Sequence, residues 1–416
     1  MKNNYTSIII LLLSIISCGL AQGLTIISIP WYFVDHLNAS SVFSFSYALI
    51  TFIGVFWGLY AGVIIDSIDR KKILLYINII SALIFMLIGL CEFFFNTSSS
   101  FLILLAFAIC SFYYTIFFPN LYALAQELSM KNQYIKVNSY IEIFFQITSI
   151  IAATICGLLL SGSNAILNYF NFKTIAFNPW SMGDIFILNS ILYFITFLLL
   201  LNIKYESLKK SCLPQFSSVF IDIKKAVFFL KNNNSILIYG ICSQIIFAFL
   251  IVELFTLLPL FVKKCLNQNI IIFSLADVTY GLGAIIAGLM TRKLLKYIDK
   301  VSLTIFFIII TAYAFITMIS FLDLSIFFVT TLIIGITNAG TRITRMTYFF
   351  KKVPNQLIGR TNTLFNTINT FIRAILIIIF SIPWFSQDTN SIFGYKIGVV
   401  VLIIFVVPLI LNKKSN

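Results

Sequence analysis

Several ionisable side chains lie within long apolar runs of the sequence, and their types suit them to proton or ion chemistry. They are Glu142, Glu253, Asp277, Arg342, Arg345 and Arg373. An ionised group at the centre of a membrane helix costs roughly 2.5–3.5 kcal/mol, so these side chains should face a polar cavity or one another instead of lipid. Glu253 or Asp277 can carry a proton, and Arg373 can attract an anion. A structural ion pair is the alternative, which for Glu142 would involve residues 292–293.

Uncharged hydrogen-bonding groups in the same apolar runs form a second set of candidates. As lining of a substrate cavity, the sequence offers Gln22, Gln146, Asn366 and Asn369. Side-chain amides also stabilise contacts between membrane helices, and Gly23 beside Gln22 favours close helix packing. These residue types therefore leave substrate binding and helix packing both open.

Residues 58–74 carry the most distinctive pattern in the chain. An apolar run ends at Asp66, a short turn follows, and the basic triplet 70–72 precedes the next apolar run. This order predicts a tight hairpin between two membrane helices. Because the helix dipole disfavours an anion at a helix C-terminus, Asp66 needs a partner, and Arg70 lies one turn further on. The alternative is that the triplet only fixes topology through its positive charge.

The sequence lacks the usual patterns of catalytic and metal-binding sites. It has no GxxxxGK[ST] phosphate loop and no G-x-S-x-G elbow, a single histidine at position 36, and seven cysteines without a CxxC pair. We therefore predict that the protein is not an enzyme and holds no metal or cofactor. The net charge of +14 does not indicate nucleic-acid binding, because the basic residues lie in short loops between apolar runs.

Composition and run length place the chain in a membrane. It is 60% hydrophobic and 10% charged, whereas soluble domains are about 25% charged. A bilayer is crossed by about 20 apolar residues, which predicts twelve helices. The predicted spans are 7–34, 43–65, 73–95, 101–125, 138–161, 184–203, 235–262, 270–291, 302–322, 325–347, 362–384 and 393–411. Counted from the ends of their spans, Glu253 and Asp277 lie at similar depth.

The distribution of basic residues predicts the orientation of these helices. With the N-terminus in the cytoplasm, 23 Lys and Arg residues fall on the cytoplasmic side and four on the outer side. That asymmetry is the one expected from the positive-inside rule. The first apolar run continues past Cys18 to Val34, so we expect an uncleaved first helix instead of a signal peptide.

Three pairs of segments repeat in order at nearly one offset, between 223 and 229 residues. The matched pairs are 29–37 with 258–266, 62–70 with 288–296, and 132–139 with 355–363. The repeat predicts two parallel halves of six helices each, at 1–203 and 234–416. A polar, Lys-rich stretch at 204–233 separates them and is predicted to be a cytoplasmic central loop.

The hairpin resembles the loop after the second helix of the major facilitator superfamily, written G-x-x-x-D-R-x-G-R-[RK]. The matching residues are Gly62, Asp66, Arg70 and Lys71. Ser67 stands where the pattern has Arg, and Asp69 stands where it has Gly. The resulting D-x-x-D-R-K variant is similar to the subgroup that includes macrolide efflux pumps and the enterobactin exporter. Residues 352–362 resemble the V-P-x-x-x-x-G-R-x-N stretch of that subgroup.

The resemblance spans nearly the whole chain and implies the major facilitator fold: an all-α integral membrane protein whose central cavity lies between its halves. It also implies a conformational clamp at the cytoplasmic side, in which Asp66 meets the start of the eleventh helix near Thr361. The residues assigned to this clamp are Gly62, Asp66, Asp69, Arg70 and Lys71.

The expected function is alternating-access export of a small amphipathic, drug-like or siderophore-like molecule in exchange for protons. Residues 101–125 carry no charge, and Gly157-Leu158 stands where antiporters of the family have Gly-Pro. These departures keep open an importer or facilitator of a small metabolite or lysophospholipid, and more distantly a passive channel or scramblase. The resemblance further implies a monomer in the bacterial inner membrane, with both termini cytoplasmic.

Overall fold

The structure is a computed structural model, and it describes residues 5–95, 99–129, 133–170, 178–204, 224 and 227–415. The described chain is helical throughout, with short connections. Twelve of its helices are long and apolar enough to cross a membrane, which confirms the predicted all-helical fold with twelve spans.

The twelve helices are numbered here in chain order. They are α1 (Tyr5–Asp35), α2 (Ser40–Ser67), α3 (Arg70–Phe95), α4 (Ser100–Leu128), α5 (Tyr134–Phe170), α6 (Met182–Leu201), α7 (Asn234–Cys265), α8 (Ile270–Leu294), α9 (Lys300–Ser320), α10 (Leu324–Lys352), α11 (Asn355–Phe380) and α12 (Ser391–Ser415). Their ends lie close to the predicted ones. The largest shifts begin α11 at Asn355 and end α10 at Lys352. Helix α5 reaches Phe170 only across a kink at the non-helical Gly162, next to the predicted end of its span, and α11 ends before Pro383, which begins a short 3-10 helix.

Polar caps explain where several helices begin. Ser181 and Asp184 form a reciprocal capping box at the start of α6. Asp299 accepts from the Ser302 N–H at the start of α9, and Asp323 accepts from two N–H groups at the start of α10. Each carboxylate satisfies donors that the first helical turn leaves unpaired.

Helix α7 is the most irregular of the spans. Its α-helical hydrogen bonding stops at Cys242 and resumes at Ile245, and π-helical turns cover Glu253–Leu257 and Phe261–Cys265. Pro259 lies between the two π-helical turns and lacks the N–H that a regular helix requires. π-helical turns inside α-helices are frequent at functional sites, so α7 is the helix to inspect for one.

The chain divides into two compact units. Unit 1 comprises residues 1–32 and 53–215, and unit 2 comprises residues 33–52 and 216–416. Unit 2 thus includes the end of α1 and the start of α2, where Asp35 pairs with Lys263 and the Tyr47 ring lies 4.9 Å from that of Phe255. The domain boundaries deduced from the sequence repeat stay a prediction.

The core of unit 1 combines aromatic rings with neutral polar groups. Tyr113 stacks on Phe117 and donates from its hydroxyl to Asn78 Oδ1 at 2.9 Å. Asn189 donates to Thr25 Oγ1, also at 2.9 Å, between α6 and α1. Each of these polar groups is buried and hydrogen-bonded, as a membrane interior requires.

Many large apolar side chains are exposed on the helices, which a soluble protein would avoid. Leu289 on α8 is 75% exposed, and Phe93, Phe94 and Phe101 are each more than 60% exposed. Such side chains are stable only against hydrocarbon, so they mark the faces that contact lipid.

Candidate functional site

Unit 2 contains a cavity of about 110 Å³ between α7, α8 and α10. Its wall is mainly aliphatic and aromatic, and the polar groups converge on it from all three helices. The lining residues include Phe247, Leu250, Ile251, Glu253, Leu254, Leu258, Ala276, Asp277, Tyr280, Thr331, Ile334 and Asn338. An apolar cavity with a few convergent polar groups is the usual form of a small-molecule site.

Glu253 lies on the α7 wall of this cavity, at the start of the first π-helical turn. Its side chain is buried, with 7% of the residue exposed, and its Oε1 accepts a hydrogen bond from the Tyr395 hydroxyl at 2.7 Å. Tyr395 comes from α12 and is itself fully buried. Glu253 is therefore an acid held by a neutral donor, an arrangement that can accept and release a proton.

Asp277 enters the cavity from α8 and is more accessible than Glu253. Next to it, the Tyr280 hydroxyl accepts from Asn338 Nδ2 at 2.6 Å, which links α8 to α10. The hydroxyls of Thr279 and Thr331 make a second link at 2.6 Å. The two acids that sequence analysis singled out at similar depth thus lie on one cavity.

Close backbone packing positions the α8 and α10 walls. A Cβ built on Gly283 would overlap the Leu332 carbonyl, and one built on Gly335 would overlap the Tyr280 carbonyl. Only glycine permits this approach, so the two helices touch directly beside the cavity. The positions of Asp277, Tyr280 and Asn338 follow from that contact.

A second polar cluster surrounds the interruption of α7. Arg345 Nη1 donates to the Ser243 carbonyl at 3.0 Å, and Asn369 Nδ2 donates to the Gln244 carbonyl at 3.1 Å. The Gln244 carbonyl also accepts from the Ala248 N–H, so Asn369 is its second donor, and the two side chains join the break in α7 to α10 and α11. In the part of the chain that the structure describes, the Arg345 Nε and both polar atoms of the Gln244 amide are buried without a hydrogen-bond partner.

The remaining candidates lie outside the cavity. Arg373 is half-buried on α11 and donates to Thr370 Oγ1 at 2.8 Å, whereas Asn366 on the same helix is exposed. Glu142 in unit 1 is exposed and accepts from the Tyr122 hydroxyl at 2.7 Å.

Gln22 and Gln146 are both half-buried in unit 1. The Gln22 Oε1 is buried and has no hydrogen-bond partner among the described residues. A Cβ on Gly23 would overlap that of Ala152, so α1 and α5 pack closely at this point.

The hairpin between α2 and α3 is tied to α4 and α6. Arg70 pairs with Glu127 Oε1 at 3.0 Å, and Lys71 donates to the Leu201 and Ile203 carbonyls at 2.9 and 2.7 Å. Asp69 Oδ1 accepts from the Lys72 N–H at 3.0 Å and so caps α3.

Two further members of the predicted clamp differ in what the structure describes. A Cβ on Gly62 would meet no atom within 4 Å. The side chain of Asp66 lies outside the described part of the structure, so the clamp stays a prediction.

Sequence reasoning did not single out Tyr395, Tyr280, Asn338 or Glu127. Glu127 had a detectable signal, because it is an acid at the end of an apolar run, as Asp66 is. Tyr395 had no such signal, because the sequence has nineteen tyrosines and nothing in it indicates which one contacts Glu253. Its importance follows only from the packing of α12 against α7.

Comparison with known proteins places the chain in a family. The model of the Major Facilitator Superfamily matches residues 11–377. No curated protein sequence matches the chain significantly.

Solved structures of transporters are similar over nearly the whole chain. A bacterial homologue of the human lysosomal transporter Spinster has a TM-score of 0.74 at 12% identity, covering 100% of this chain and 98% of its own. A mutant of the nucleoside transporter NupG has a TM-score of 0.71 at 16% identity, covering 98% and 99%. A D-xylose–proton symporter has a TM-score of 0.68 at 14% identity, covering 96% and 97%. At such identities the likeness shows the fold.

Proposed function

Because the chain belongs to the Major Facilitator Superfamily and is a secondary transporter, not an enzyme, we propose that it exports a small amphipathic molecule in exchange for protons. The observation that carries this proposal is Glu253, a buried acid on the wall of an apolar cavity. Export is favoured by the resemblance of residues 62–71 to the efflux subgroup.

The surroundings of Glu253 suit reversible proton binding. Among the described residues, the ionisable groups that contact Glu253 or line the cavity with it are Tyr395 from α12 and Asp277 and Tyr280 from α8. All three are acids or neutral at neutral pH, and none is a cation that would hold Glu253 permanently ionised. The Tyr395 hydroxyl stabilises the charged form, whereas the apolar wall disfavours it. Small changes around the cavity can therefore load or release a proton.

Substrate export is coupled to proton import if the cavity cannot hold the substrate while Glu253 is protonated. The substrate enters from the cytoplasmic side and displaces the proton, and the outward-facing protein exchanges the substrate for a new proton. Each cycle then moves one substrate outward and at least one proton inward. The irregular backbone of α7 gives Glu253 a helix that can bend between the two states.

The proposal places the protein in the bacterial inner membrane with cytoplasmic termini. The excess of basic residues in one set of loops supports that orientation.

Proton movement in inverted membrane vesicles tests the proposal. Vesicles that contain the protein are energised to acidify their interior, and a panel of amphipathic compounds is added while a pH-sensitive dye is followed. We expect a substrate-dependent collapse of the pH gradient. Glu253→Gln should lower the collapse by about tenfold or more while substrate counterflow continues, since one lost acid costs at least the approximately 1.4 kcal/mol of a tenfold change.

Glu142→Gln is the matched control, because it removes an exposed acid of unit 1 that lies in another span. It should leave the collapse unchanged. Proton movement that survives Glu253→Gln would contradict the proposed role of this acid. Further acidification on adding substrate would indicate symport, and the exporter would then be ruled out.

A further inference from the structure

The connection between α8 and α9 carries a cluster of basic residues, called here the basic turn. It comprises Arg292, Lys293, Lys296 and Lys300. The first three are exposed, and the one acid within residues 292–300 is Asp299, which pairs with Lys413 of α12 at 3.4 Å. The basic turn therefore presents several positive charges to its surroundings and no unpaired negative charge.

The side chains of the basic turn have no partner inside the protein. Among the described residues, Arg292, Lys293 and Lys296 form no side-chain hydrogen bond or ion pair. The turn of unit 1 that the sequence repeat matches to this one differs, because Arg70 there pairs with Glu127, and Lys71 donates to two backbone carbonyls. Basic groups that serve internal contacts in unit 1 are thus left for an external partner in unit 2.

An exposed apolar stripe on α8 leads to the basic turn. Leu282, Ile286 and Leu289 are 46%, 40% and 75% exposed, and they lie four and three residues apart. Lys293 follows Leu289 by four residues and so continues the same face of the helix. An acyl chain that lies along this stripe would bring the headgroup of its lipid to Lys293.

Tyr297 places the basic turn at the level of lipid headgroups. It lies within the turn, and 87% of it is exposed. Tyrosine is enriched at the interface between membrane and water, where its ring contacts acyl chains and its hydroxyl reaches the polar layer. An exposed tyrosine beside exposed Lys and Arg is therefore suited to contact with lipid.

The basic turn is held in place by α10. A Cβ built on Gly340 would lie 2.6 Å from Phe307 Cε2 of α9 and 3.2 Å from Thr291 Oγ1 of α8. Both helices therefore pack on α10 at this glycine, directly beside the turn. Within the turn, the Ile298 N–H donates to the Leu294 carbonyl at 2.9 Å. A turn that is ordered before binding loses little conformational entropy when it takes up a ligand.

We propose that the basic turn binds the headgroup of an anionic phospholipid, whose acyl chains lie along the exposed stripe of α8. A phosphate diester accepts charge-assisted hydrogen bonds from Lys and Arg, and basic clusters at the end of a membrane helix attract anionic lipids. The inference goes beyond the proposed transport function and does not depend on its direction or coupling ion. The bound lipid would fix the end of the helix that carries Asp277 and Tyr280.

Native mass spectrometry of the purified protein in detergent tests this inference. The probes are phosphatidylglycerol, which has one net negative charge, and phosphatidylcholine, which has none, with identical acyl chains. We expect the first molecule of phosphatidylglycerol to bind about tenfold or more tightly than the first of phosphatidylcholine, since net charge is the main difference between them. Phosphatidylglycerol should also raise the midpoint of thermal unfolding more, because it binds the folded protein.

Variants assign the preference to the basic turn. Lys293→Gln should weaken the binding of phosphatidylglycerol about fivefold, which corresponds to the roughly 1 kcal/mol that one basic residue contributes beside an anionic lipid surface. Lys293→Arg should retain the preference, because it keeps the charge. The combined variant Arg292→Gln, Lys293→Gln and Lys296→Gln should bind the two lipids equally.

Lys351→Gln is the matched control, because it removes an exposed basic residue of unit 2 elsewhere. Lys351 lies eleven residues after Gly340, about 16 Å further along α10. Its loss should change the affinity for phosphatidylglycerol by less than about twofold, since the charge is distant from the turn. Equal binding of the two lipids by the wild-type protein, or equal losses in Lys351→Gln and Lys293→Gln, would overturn the inference and leave the basic turn a role in topology alone.

Discussion

The two units of this protein differ in the polar groups that their helices bury. In unit 1 several buried polar groups are neutral and bonded in pairs, such as Tyr113 with Asn78 and Asn189 with Thr25, although Glu92 on α3 is buried as well. In unit 2 the membrane-spanning helices contain ionisable groups, with Glu253 in a cavity wall and Arg345 at the break in α7. Neutral pairs stabilise a core at little cost, whereas buried charges are expensive.

The charged residues of the two units also differ in their partners. Arg70 and Glu127, the ion pair of the hairpin in unit 1, compensate each other at 3.0 Å. Arg345 in unit 2 donates to a backbone carbonyl, and its Nε is buried without a hydrogen-bond partner among the described residues. We therefore expect the residues of binding and proton coupling in unit 2.

The largest expected effect comes from the helix contact beneath the cavity. Gly283→Ala would force the backbones of α8 and α10 apart, because its Cβ would overlap the Leu332 carbonyl. Overpacking of this kind costs typically 1–3 kcal/mol, and a backbone atom cannot rotate away as a side chain can. We expect a clear fall in the midpoint of thermal unfolding in detergent and loss of ligand binding.

Two glycines serve as controls for Gly283→Ala. Gly288 lies on the same helix and a Cβ there meets no atom within 4 Å. Gly58 lies on α2, the helix that the sequence repeat matches to α8, and a Cβ there would lie 3.6 Å from Thr115 Cγ2, an ordinary contact. Alanine should be tolerated at both positions. If Gly283→Ala is equally stable, the close packing of unit 2 is not what positions its cavity.

A matched pair of Tyr→Phe substitutions compares the two cores directly. Tyr395→Phe removes the hydroxyl bonded to Glu253, and Tyr113→Phe removes the hydroxyl bonded to Asn78. Each should lower stability by roughly 0.5–1.5 kcal/mol, since each removes one buried hydrogen bond. Only Tyr395→Phe should reduce proton-coupled transport, by about tenfold, because its partner is the proposed proton carrier.

Thermal unfolding and the vesicle assay together decide the outcome of this pair. Substrate counterflow should remain near the wild-type rate in both variants, since neither hydroxyl lines the cavity in the described structure. An equal loss of proton-coupled transport in Tyr113→Phe would mean that the core of unit 1 also takes part in proton coupling. The assignment of coupling to unit 2 would then be wrong.

The number of membrane-spanning helices was the feature best predicted from the sequence. A span needs about 20 apolar residues whatever it packs against, so twelve helices could be counted before any contact was known. The break at Ser243–Gln244 could not be predicted, because no proline marks it. Its carbonyls accept hydrogen bonds from Arg345 and Asn369, side chains more than one hundred residues away in the chain.

The candidate site shows the same boundary between predictable and unpredictable features. Glu253 and Asp277 could be picked out because a charge in an apolar run is costly wherever it lies. The partners Tyr395 and Asn338 could not, because many tyrosines and asparagines lie in the apolar runs of this chain and only packing brings these two to the site. A charged residue in an apolar run can therefore be recognised in the sequence, whereas its hydrogen-bond partners can be recognised only in the folded structure.

The smallest expected effect concerns two capping carboxylates outside the spans. Asp69 caps α3 through the Lys72 N–H, and Asp299 caps α9 through the Ser302 N–H. The sequence repeat matches these two helices to each other. Asp299 also lies 3.4 Å from Lys413 Nζ, which makes the cap in unit 2 partly ionic.

The pKa of Asp299 reflects both interactions. Partial burial by itself would raise the pKa of this carboxyl, but the hydrogen bonds from Ser302 and the charge of Lys413 outweigh it and hold the pKa below its ordinary value. A lowered pKa stabilises the folded protein above the ordinary carboxyl pKa of about 4, and this stability is lost as the pH falls below it. The exposed pair is screened by water, so the contribution is about 0.2–0.5 kcal/mol.

Asp299→Asn preserves the cap and removes the ion pair, because asparagine caps a helix about as well as aspartate. The variant should therefore unfold at a slightly lower temperature than wild type at pH about 7, and the difference should vanish near pH 3, where the carboxyl is protonated in both folded and unfolded chains. Asp69→Asn should change the unfolding temperature much less at either pH. If the difference in unfolding temperature between Asp299→Asn and wild type persists unchanged at low pH, the effect belongs to the helix cap. The ion pair between Asp299 and Lys413 would then contribute nothing measurable to stability.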